Sequence, residues 1–363
     1  MLPFDHLLET IKTDCLLQNS VQGEKQKTIM KKLAINGFGR IGRASIKIAL
    51  ESPELEIVAI NDLMHIENAA YLLKYDSIYG RYNNTVEVEG EDTLIVGGKK
   101  IKYFSFKDPK DLPWKDLQID VVIESTGFFT NKEDAEKHIY AGAKTVVLSG
   151  PTKSPDVPTV VHGVNSEDGH TQIFSCASCT TNNISPLIEI LGRRIGIKKA
   201  ILNTVHAYTA SQTLVDAPSK REPRMGRAAG LNLAPASTGA AIATTKALPQ
   251  YKGRFDGVAI RTPVPVGSIS DITFIAERNT TPEEINAIFQ EEILTERYKE
   301  VLSATYDPIV STDIIQSTYA AVVDLEMTRV VDGDLVKIMA WYDNEWGFTC
   351  RLAEVAQFIS QKI

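Results

Sequence analysis

Lys32-Leu33-Ala34-Ile35-Asn36-Gly37-Phe38-Gly39-Arg40-Ile41-Gly42 is the stretch that decides the fold. Residues 32–36 read as a short apolar strand. Gly37, Gly39 and Gly42 then space out a G-x-G-x-x-G pattern, and Arg43-Ala44-Ser45-Ile46-Lys47-Ile48-Ala49-Leu50 continues with helical periodicity. Between a strand and a helix, these glycines permit a tight turn and close backbone approach to a pyrophosphate lying on the helix N-terminus. The following strand, 55–61, ends at Asp62, which stands 20 residues beyond Gly42. A carboxylate at that distance suits an adenosine ribose and repels a 2′-phosphate, so NAD is expected over NADP.

Outward from this core the sheet continues. Residues 101–106, 120–127 and 145–149 read as strands, and 133–141 as a helix ending at Gly142. Gly97-Gly98 between two apolar runs marks a hairpin inserted in the parallel pattern. Residues at strand C-terminal ends line the cofactor crevice of such a sheet, which places Ser125, Thr126, Gly127, Phe129 and Ser149 there.

The second half changes character at Ser175-Cys176-Ala177-Ser178-Cys179-Thr180-Thr181-Asn182. Ile184, Leu187, Ile188, Leu191 and Ile195 follow at helical spacing, so Cys179 falls at a helix N-terminus, where free N–H groups and the helix dipole favour a thiolate. Pro186 predicts a kink or a late start. His206 lies in a β-rich run after the helix and is the candidate base, expected to form an ion pair with the sulfur. The alternative is an inert thiol and a strand histidine; the hydroxyl setting, the helix start and the nucleotide motif together outweigh it. Strands are expected at 200–206, 257–262, 268–275, 318–325 and 335–342, with helices near 238–248 and 282–293. Residues 234–241 read as a helix opening with hydroxyls, an oxyanion cradle or a plain cap. Arg261, at a strand end, calls for an anionic partner or an internal salt bridge. The irregular 206–238 segment is long enough to be functional. A last amphipathic helix spans 345–363, with Leu352, Val355, Ala356 and Ile359 on one face.

The fold class expected is therefore α/β: an N-terminal Rossmann-type doubly wound sheet plus an α+β catalytic domain with a mixed, largely antiparallel sheet. Domain limits are 1–30 as an N-terminal extension, 31–178, 179–343, and a C-terminal helix, 344–363, packing back on the first domain.

The 363 residues, 43% hydrophobic and 23% charged, suit an ordinary globular chain with two domains. A net charge of −7 argues against nucleic acid as the primary partner, and no apolar run is long enough to span a bilayer. Four cysteines are too few and scattered for a disulfide framework, which makes a reducing, cytoplasmic location the default. No metal is expected. Residues 1–29 carry a weak leucine pattern interrupted by acids, unlike a secretory signal or transit peptide. They are either a surface extension or a stretch upstream of a native start at Met30; the second is favoured.

Four motifs in order resemble phosphorylating glyceraldehyde-3-phosphate dehydrogenase: Asn36-Gly37-Phe38-Gly39-Arg40-Ile41-Gly42-Arg43, Ala177-Ser178-Cys179-Thr180-Thr181-Asn182, Ser237-Thr238-Gly239-Ala240-Ala241 and Trp341-Tyr342-Asp343-Asn344-Glu345-Trp346-Gly347. The resemblance covers about Lys31 to the C-terminus. It implies a homotetramer that converts glyceraldehyde 3-phosphate, inorganic phosphate and NAD to 1,3-bisphosphoglycerate, with Cys179 as nucleophile and His206 as base. It further implies Thr209 and Arg261 for the substrate phosphate, Ser178, Thr180, Thr238 and Gly239 for the attacking phosphate, and Arg40, Ile41, Asp62, Lys107 and Ser149 for the cofactor. Asn344 would hold the nicotinamide carboxamide, and the 208–233 loop would reach a neighbouring subunit. Cys176 stands where many members carry asparagine and creates Cys176-x-x-Cys179, a spacing that also occurs in redox dithiols. Two rivals remain: erythrose-4-phosphate dehydrogenase, and a non-catalytic thiol-switch or binding protein on the same scaffold.

Overall fold

The computed structural model describes residues 30–165, 171–219 and 222–362. The readings made for 1–29, and Lys220-Arg221 within the long loop, lie outside the described residues. Residues from Lys31 onward form one compact unit built on two large sheets, with a two-stranded ribbon of Tyr75–Asp76 and Gly80–Arg81 beside them.

The first sheet has eight strands: β1 (Lys31–Asn36), β2 (Leu55–Asn61), β3 (Val86–Glu89), β4 (Thr93–Val96), β5 (Lys99–Phe104), β6 (Val121–Glu124), β7 (Thr145–Leu148) and β8 (Ile173–Ser175), in spatial order β8-β7-β6-β1-β2-β5-β4-β3. The six strands from β8 to β5 are parallel, and β4 and β3 extend the edge antiparallel. Gly97 and Gly98, at φ 56° and 79°, make the β4–β5 hairpin turn that only left-handed residues allow. Helix α1 (Arg40–Ala49) links β1 to β2, whereas β6 returns to the opposite side of β1. The order therefore reverses between β1 and β6, and a crevice opens at that switch point. Helices α2 (Ile66–Lys74) and α3 (Lys132–Tyr140) complete the connections used below.

The second sheet has seven strands: β9 (Ile197–Ala207), β10 (Ala234–Ser237), β11 (Phe255–Thr262), β12 (Ser268–Ala276), β13 (Leu302–Thr305), β14 (Ala321–Val331) and β15 (Leu335–Tyr342), ordered β10-β11-β9-β12-β15-β14-β13. Four of its neighbouring pairs are antiparallel; β9–β11 and β13–β14 are parallel. Helices α4 (Cys179–Arg194), α5 (Ala240–Ala247) and α6 (Pro282–Glu292) bury Leu187, Leu191, Ala241 and Phe289 against Leu202, Ile272, Phe274 and Ile338 of the sheet. Along β12 buried and half-buried residues alternate, as one covered face requires.

Helix α7 (Trp346–Ser360) closes the chain. Its Leu352, Val355, Ala356 and Ile359 lie in the same apolar cluster as Leu33 and Ile35 of the first sheet and Ile46 of α1. Each of the larger of these side chains contributes roughly 1.5–3 kcal/mol on burial.

Several expectations need correction. Helix α4 starts at Cys179 and runs through Pro186, so there is no late start. Proline removes one intrahelical N–H, and the long apolar face, buried along its length, offsets that loss. Residues 234–237 are an edge strand, not a helix opening, and α5 begins at Ala240; Pro235 is tolerated because it sits on the sheet edge. The strand expected at 318–325 runs from Ala321 to Val331 past an irregularity between Asp324 and Arg329. Strands β3, β8 and β13 lie outside the expected set, although Val86-Glu87-Val88-Glu89 of β3 alternates with the strand period.

Candidate active site

The crevice at the β1/β6 switch is a cleft of about 630 Å³ lined by Gly37, Gly39, Asp62, Lys107, Ser125 and Thr126 among others. A Cβ on Gly37 would meet the backbone of Thr126 at 2.6 Å, and one on Gly42 would meet the Gly37 carbonyl at 2.1 Å. Neither position takes a side chain without breaking the turn. Helix α1 is capped by Gly39 with no side-chain hydrogen bond and no acid in its first turn. Its first N–H groups and the positive dipole end are thus left for an anion. Asp62 accepts from Phe38 N at 2.5 Å and Met64 N at 2.9 Å, which fixes its carboxylate at the mouth of the glycine turn. These features fit a dinucleotide.

Three residues expected at the cofactor have other partners. The Arg40 guanidinium is held by Asp76 at 2.6 Å and Glu345 at 2.5 Å. Ile41 packs against the apolar cluster of the first sheet. Ser149 donates its N–H to Glu124 O, and its side chain is not among those lining the cleft. Asn344 is 5% exposed, and its Oδ1 accepts from Gly267 N at 3.2 Å and Ser268 Oγ at 2.9 Å. That fixes the amide and commits its oxygen, leaving the NH₂ as the donor.

In the second half, β8 must turn sharply into α4. Ala177 makes that turn at φ +56°, a conformation costing on the order of 1–2 kcal/mol outside glycine. Asn182 braces it, donating to Cys176 O at 2.7 Å and Ser178 O at 3.0 Å. Ser178 caps the helix by accepting from Thr181 N at 3.1 Å, so this hydroxyl is a structural cap as well as an expected phosphate contact. Cys179 follows as the first helical residue.

The parallel β9–β11 register pairs His206 with Arg261, and β9 runs back past α4. His206 Nε2 comes to 3.4 Å from Cys179 Sγ. His206 Nδ1 lies 2.7 Å from Ala207 O and 2.7 Å from an Arg261 Nη. These two contacts want opposite tautomers. With the Nδ1 proton on Ala207 O, Nε2 is free to accept the thiol proton, which is the tautomer a base needs. Arg261 then donates to Ala207 O at 3.2 Å, and its buried Nε has no partner among the described residues.

The expected ion pair meets a cost here. Burial pushes the Cys179 thiol up, against the pull of Arg261 and Thr180. Burial, helped by Arg261, brings the His206 imidazole down to about 3. Desolvation thus opposes both charges of the expected ion pair, while Arg261 and the Thr180 contacts favour the thiolate.

Tyr342 is a functional neighbour that periodicity did not single out. It is 1% exposed, its hydroxyl bridges Thr180 Oγ1 and Thr204 Oγ1 at 2.9 Å each, and its ring stands edge-on to His206 at 5.9 Å. Its signal was its place in the Trp341–Gly347 motif. Thr209 and Thr238 hydrogen-bond locally, to Ser211 Oγ and Ala240 N, and Gly239 caps α5. Cys176 is a free thiol with no exposed surface, and burial pushes it up to about 12, which makes it a poor redox partner. Among the described residues no group of His, Cys, Asp or Glu is placed to hold a metal ion.

Residues 31–132 match the family description "Glyceraldehyde 3-phosphate dehydrogenase, NAD binding domain", and residues 178–344 match "Glyceraldehyde 3-phosphate dehydrogenase, C-terminal domain". The chain is 45% identical over 338 residues to glyceraldehyde-3-phosphate dehydrogenase of Clostridium pasteurianum, covering 92% of this chain and 99% of that one. It is 45% identical over 336 residues to the Streptomyces coelicolor enzyme, with the same coverage. Against glyceraldehyde-3-phosphate dehydrogenase 2 of Bacillus subtilis it is 43% identical over 335 residues, 92% of this chain and 97% of that one.

Proposed function

Because the chain belongs to the glyceraldehyde-3-phosphate dehydrogenase family, we propose that it oxidises glyceraldehyde 3-phosphate with NAD and inorganic phosphate to 1,3-bisphosphoglycerate. The 3.4 Å approach of Cys179 Sγ to His206 Nε2 at a helix N-terminus is the observation that carries the reading.

As sulfur attacks the aldehyde carbon, Nε2 takes the thiol proton, so the nucleophile forms without a free thiolate being desolvated. Nε2 hands that proton on to the carbonyl oxygen, which leaves a thiohemiacetal on Cys179 and His206 neutral again. Bound NAD supplies the hydride acceptor. His206 is placed to receive the hydroxyl proton of the thiohemiacetal as the thioester forms. Phosphate oxygen then attacks the thioester carbon, the C–S bond breaks, and the leaving Cys179 thiolate takes back the proton held on His206. The orphaned Nε of Arg261 is a donor that an arriving phosphate would satisfy, which supports Arg261, with Thr209, as the holder of the substrate's own phosphate. Ser178, Thr180, Thr238 and Gly239 are assigned to the attacking phosphate, Asn344 to the carboxamide, and Gly37, Gly39, Gly42, Asp62, Lys107, Ser125 and Thr126 to the dinucleotide. Backbone groups of Arg40 and Ile41 remain candidates for the pyrophosphate; Ser149 is kept as a rim residue only.

The cofactor domain is taken as 31–178 and the catalytic domain as 179–343, with 344–363 belonging structurally to the first. A homotetramer is proposed: Leu214, Leu231 and Leu233 of the long loop are 83%, 81% and 69% exposed, a burden that contact with another subunit would relieve. No helix among the described residues is long and apolar enough to cross a membrane, and a cytoplasmic location is proposed with the family.

The test is steady-state NADH formation from glyceraldehyde 3-phosphate and from erythrose 4-phosphate, each with and without phosphate. Phosphate-dependent turnover that favours the triose is the expected result. Phosphate-independent turnover favouring the tetrose would replace this reading with the erythrose-type rival, and no NADH under any condition would leave a binding role.

A further inference from the structure

Beneath the dinucleotide cleft lies a fully buried polar chain that the chemistry above does not use. Glu124, at the end of β6, is 2% exposed, His138 on α3 is 0% exposed and Asn36 at the end of β1 is 1% exposed. The Trp114 indole N–H lies 3.0 Å from His138 Nδ1. An indole only donates, so Nδ1 accepts and the imidazole carries its proton on Nε2. That Nε2–H faces Glu124 Oε2 at 3.1 Å. The same oxygen accepts from Asn36 Nδ2 at 2.5 Å. The other carboxylate oxygen accepts from Thr126 N at 2.8 Å and from the Thr126 hydroxyl. Four donors therefore converge on one acceptor-only group.

The chain reaches the cleft along the strand ends that line it. Asn36 Oδ1 accepts from Asn61 Nδ2 at 2.7 Å, and Asn61 clamps Phe106 through both main-chain groups at 2.8 and 3.0 Å. Thr126 Oγ1 accepts from Phe128 N at 3.1 Å. Asn36, Asn61, Phe106, Thr126 and Phe128 all line the cleft. We infer that Glu124 is the positioning residue of the dinucleotide site: its carboxylate ties the ends of β1, β2, β5 and β6 into one pre-set cradle without touching the cofactor. The inference rests on the NAD reading above.

Glu124→Gln keeps the shape but removes the logic. One carboxylate oxygen becomes an NH₂, and whichever way the amide turns, it opposes either the two Thr126 donors or the Asn36 and His138 donors. The experiment is calorimetric titration of NAD into the purified protein without substrates, alongside melting temperatures and the split between KM and kcat. The expected result for Glu124→Gln is a Kd for NAD raised about tenfold or more, an equal rise in KM for NAD, and kcat at saturating NAD within about threefold of wild type. Thr126→Val removes one donor at the half-buried rim and guards against a Glu124 variant that fails to fold; its Kd should rise several-fold with the melting temperature held. An unchanged Kd in Thr126→Val, or in a folded Glu124→Gln whose only change is a lower melting temperature, overturns the inference. Wild-type protein that fails to bind NAD overturns the cofactor reading, and the inference with it.

Discussion

The dinucleotide cleft and the thiol pocket handle buried polar groups in opposite ways. Under the cleft, Glu124 meets four donors and Asn36, Asn61 and Thr126 are paired with one another or with main chain. Beside Cys179, Arg261 Nε and Asn182 Oδ1 are buried without partners among the described residues. The thiol and the imidazole also sit where burial disfavours their charged forms. A satisfied network rigidifies and specifies a shape, whereas unsatisfied groups hold free energy that a ligand can release. The first region is built to bind one molecule in one pose. The second is built to react.

Substitutions should separate the two behaviours. Cys179→Ser should lower turnover by ~10⁴-fold or more, as loss of a nucleophile does, with the Kd for NAD unchanged. A matching loss of NAD affinity would show the regions are not separable. His206→Asn should lower kcat by ~10²–10⁴-fold, again without weakening NAD. If the wild-type rate survived, the base would have to be found elsewhere.

The depressed imidazole also predicts a pH effect on stability. The native His206 stays neutral down to about 3, while the unfolded chain takes up a proton below 6.5. The unfolded state binds more protons in that window, so this contribution is present above pH 6.5 and is lost as pH falls. Between pH 6.5 and 5 it amounts to about 2 kcal/mol. Urea midpoints should show a shallower acid loss in His206→Asn than in wild type; parallel curves would mean the ring is not desolvated. Glu354, raised to about 7 by burial, has the opposite sign and loses its contribution as pH rises from 4.5. The smallest effect is expected at the cleft mouth, where Asp62→Asn should weaken NAD about tenfold, narrow its advantage over NADP and leave kcat alone. Equal weakening of both cofactors would mean that Asp62 only holds Phe38 in place.

The cleft was the more legible half. Gly37, Gly42 and Asp62 announce themselves because a turn, a close approach and a ribose carboxylate each demand a residue type at a fixed spacing. Cys179 and His206 were readable from hydroxyl neighbours and strand propensity. What binds them together was not: the β9–β11 register and the reach of Tyr342 to Thr180 and Thr204 are long-range facts, and nothing about an alanine announces the left-handed turn at Ala177. Edge strand 234–237 was misread because serine, threonine and glycine look alike before a helix and along a sheet edge. The ion pair was expected because helix-end effects are visible in sequence and burial is not. Glu124 escaped notice for the same reason, since a strand-end glutamate reads as solvated until its four donors are seen.

The most direct test of the central claim, that Cys179 holds the acyl group until phosphate arrives, is rapid-mixing measurement of NADH with phosphate withheld. The account predicts a burst of about one NADH per subunit, then a stall that added phosphate releases. Steady turnover without phosphate, or a burst that persists in Cys179→Ser, would contradict it.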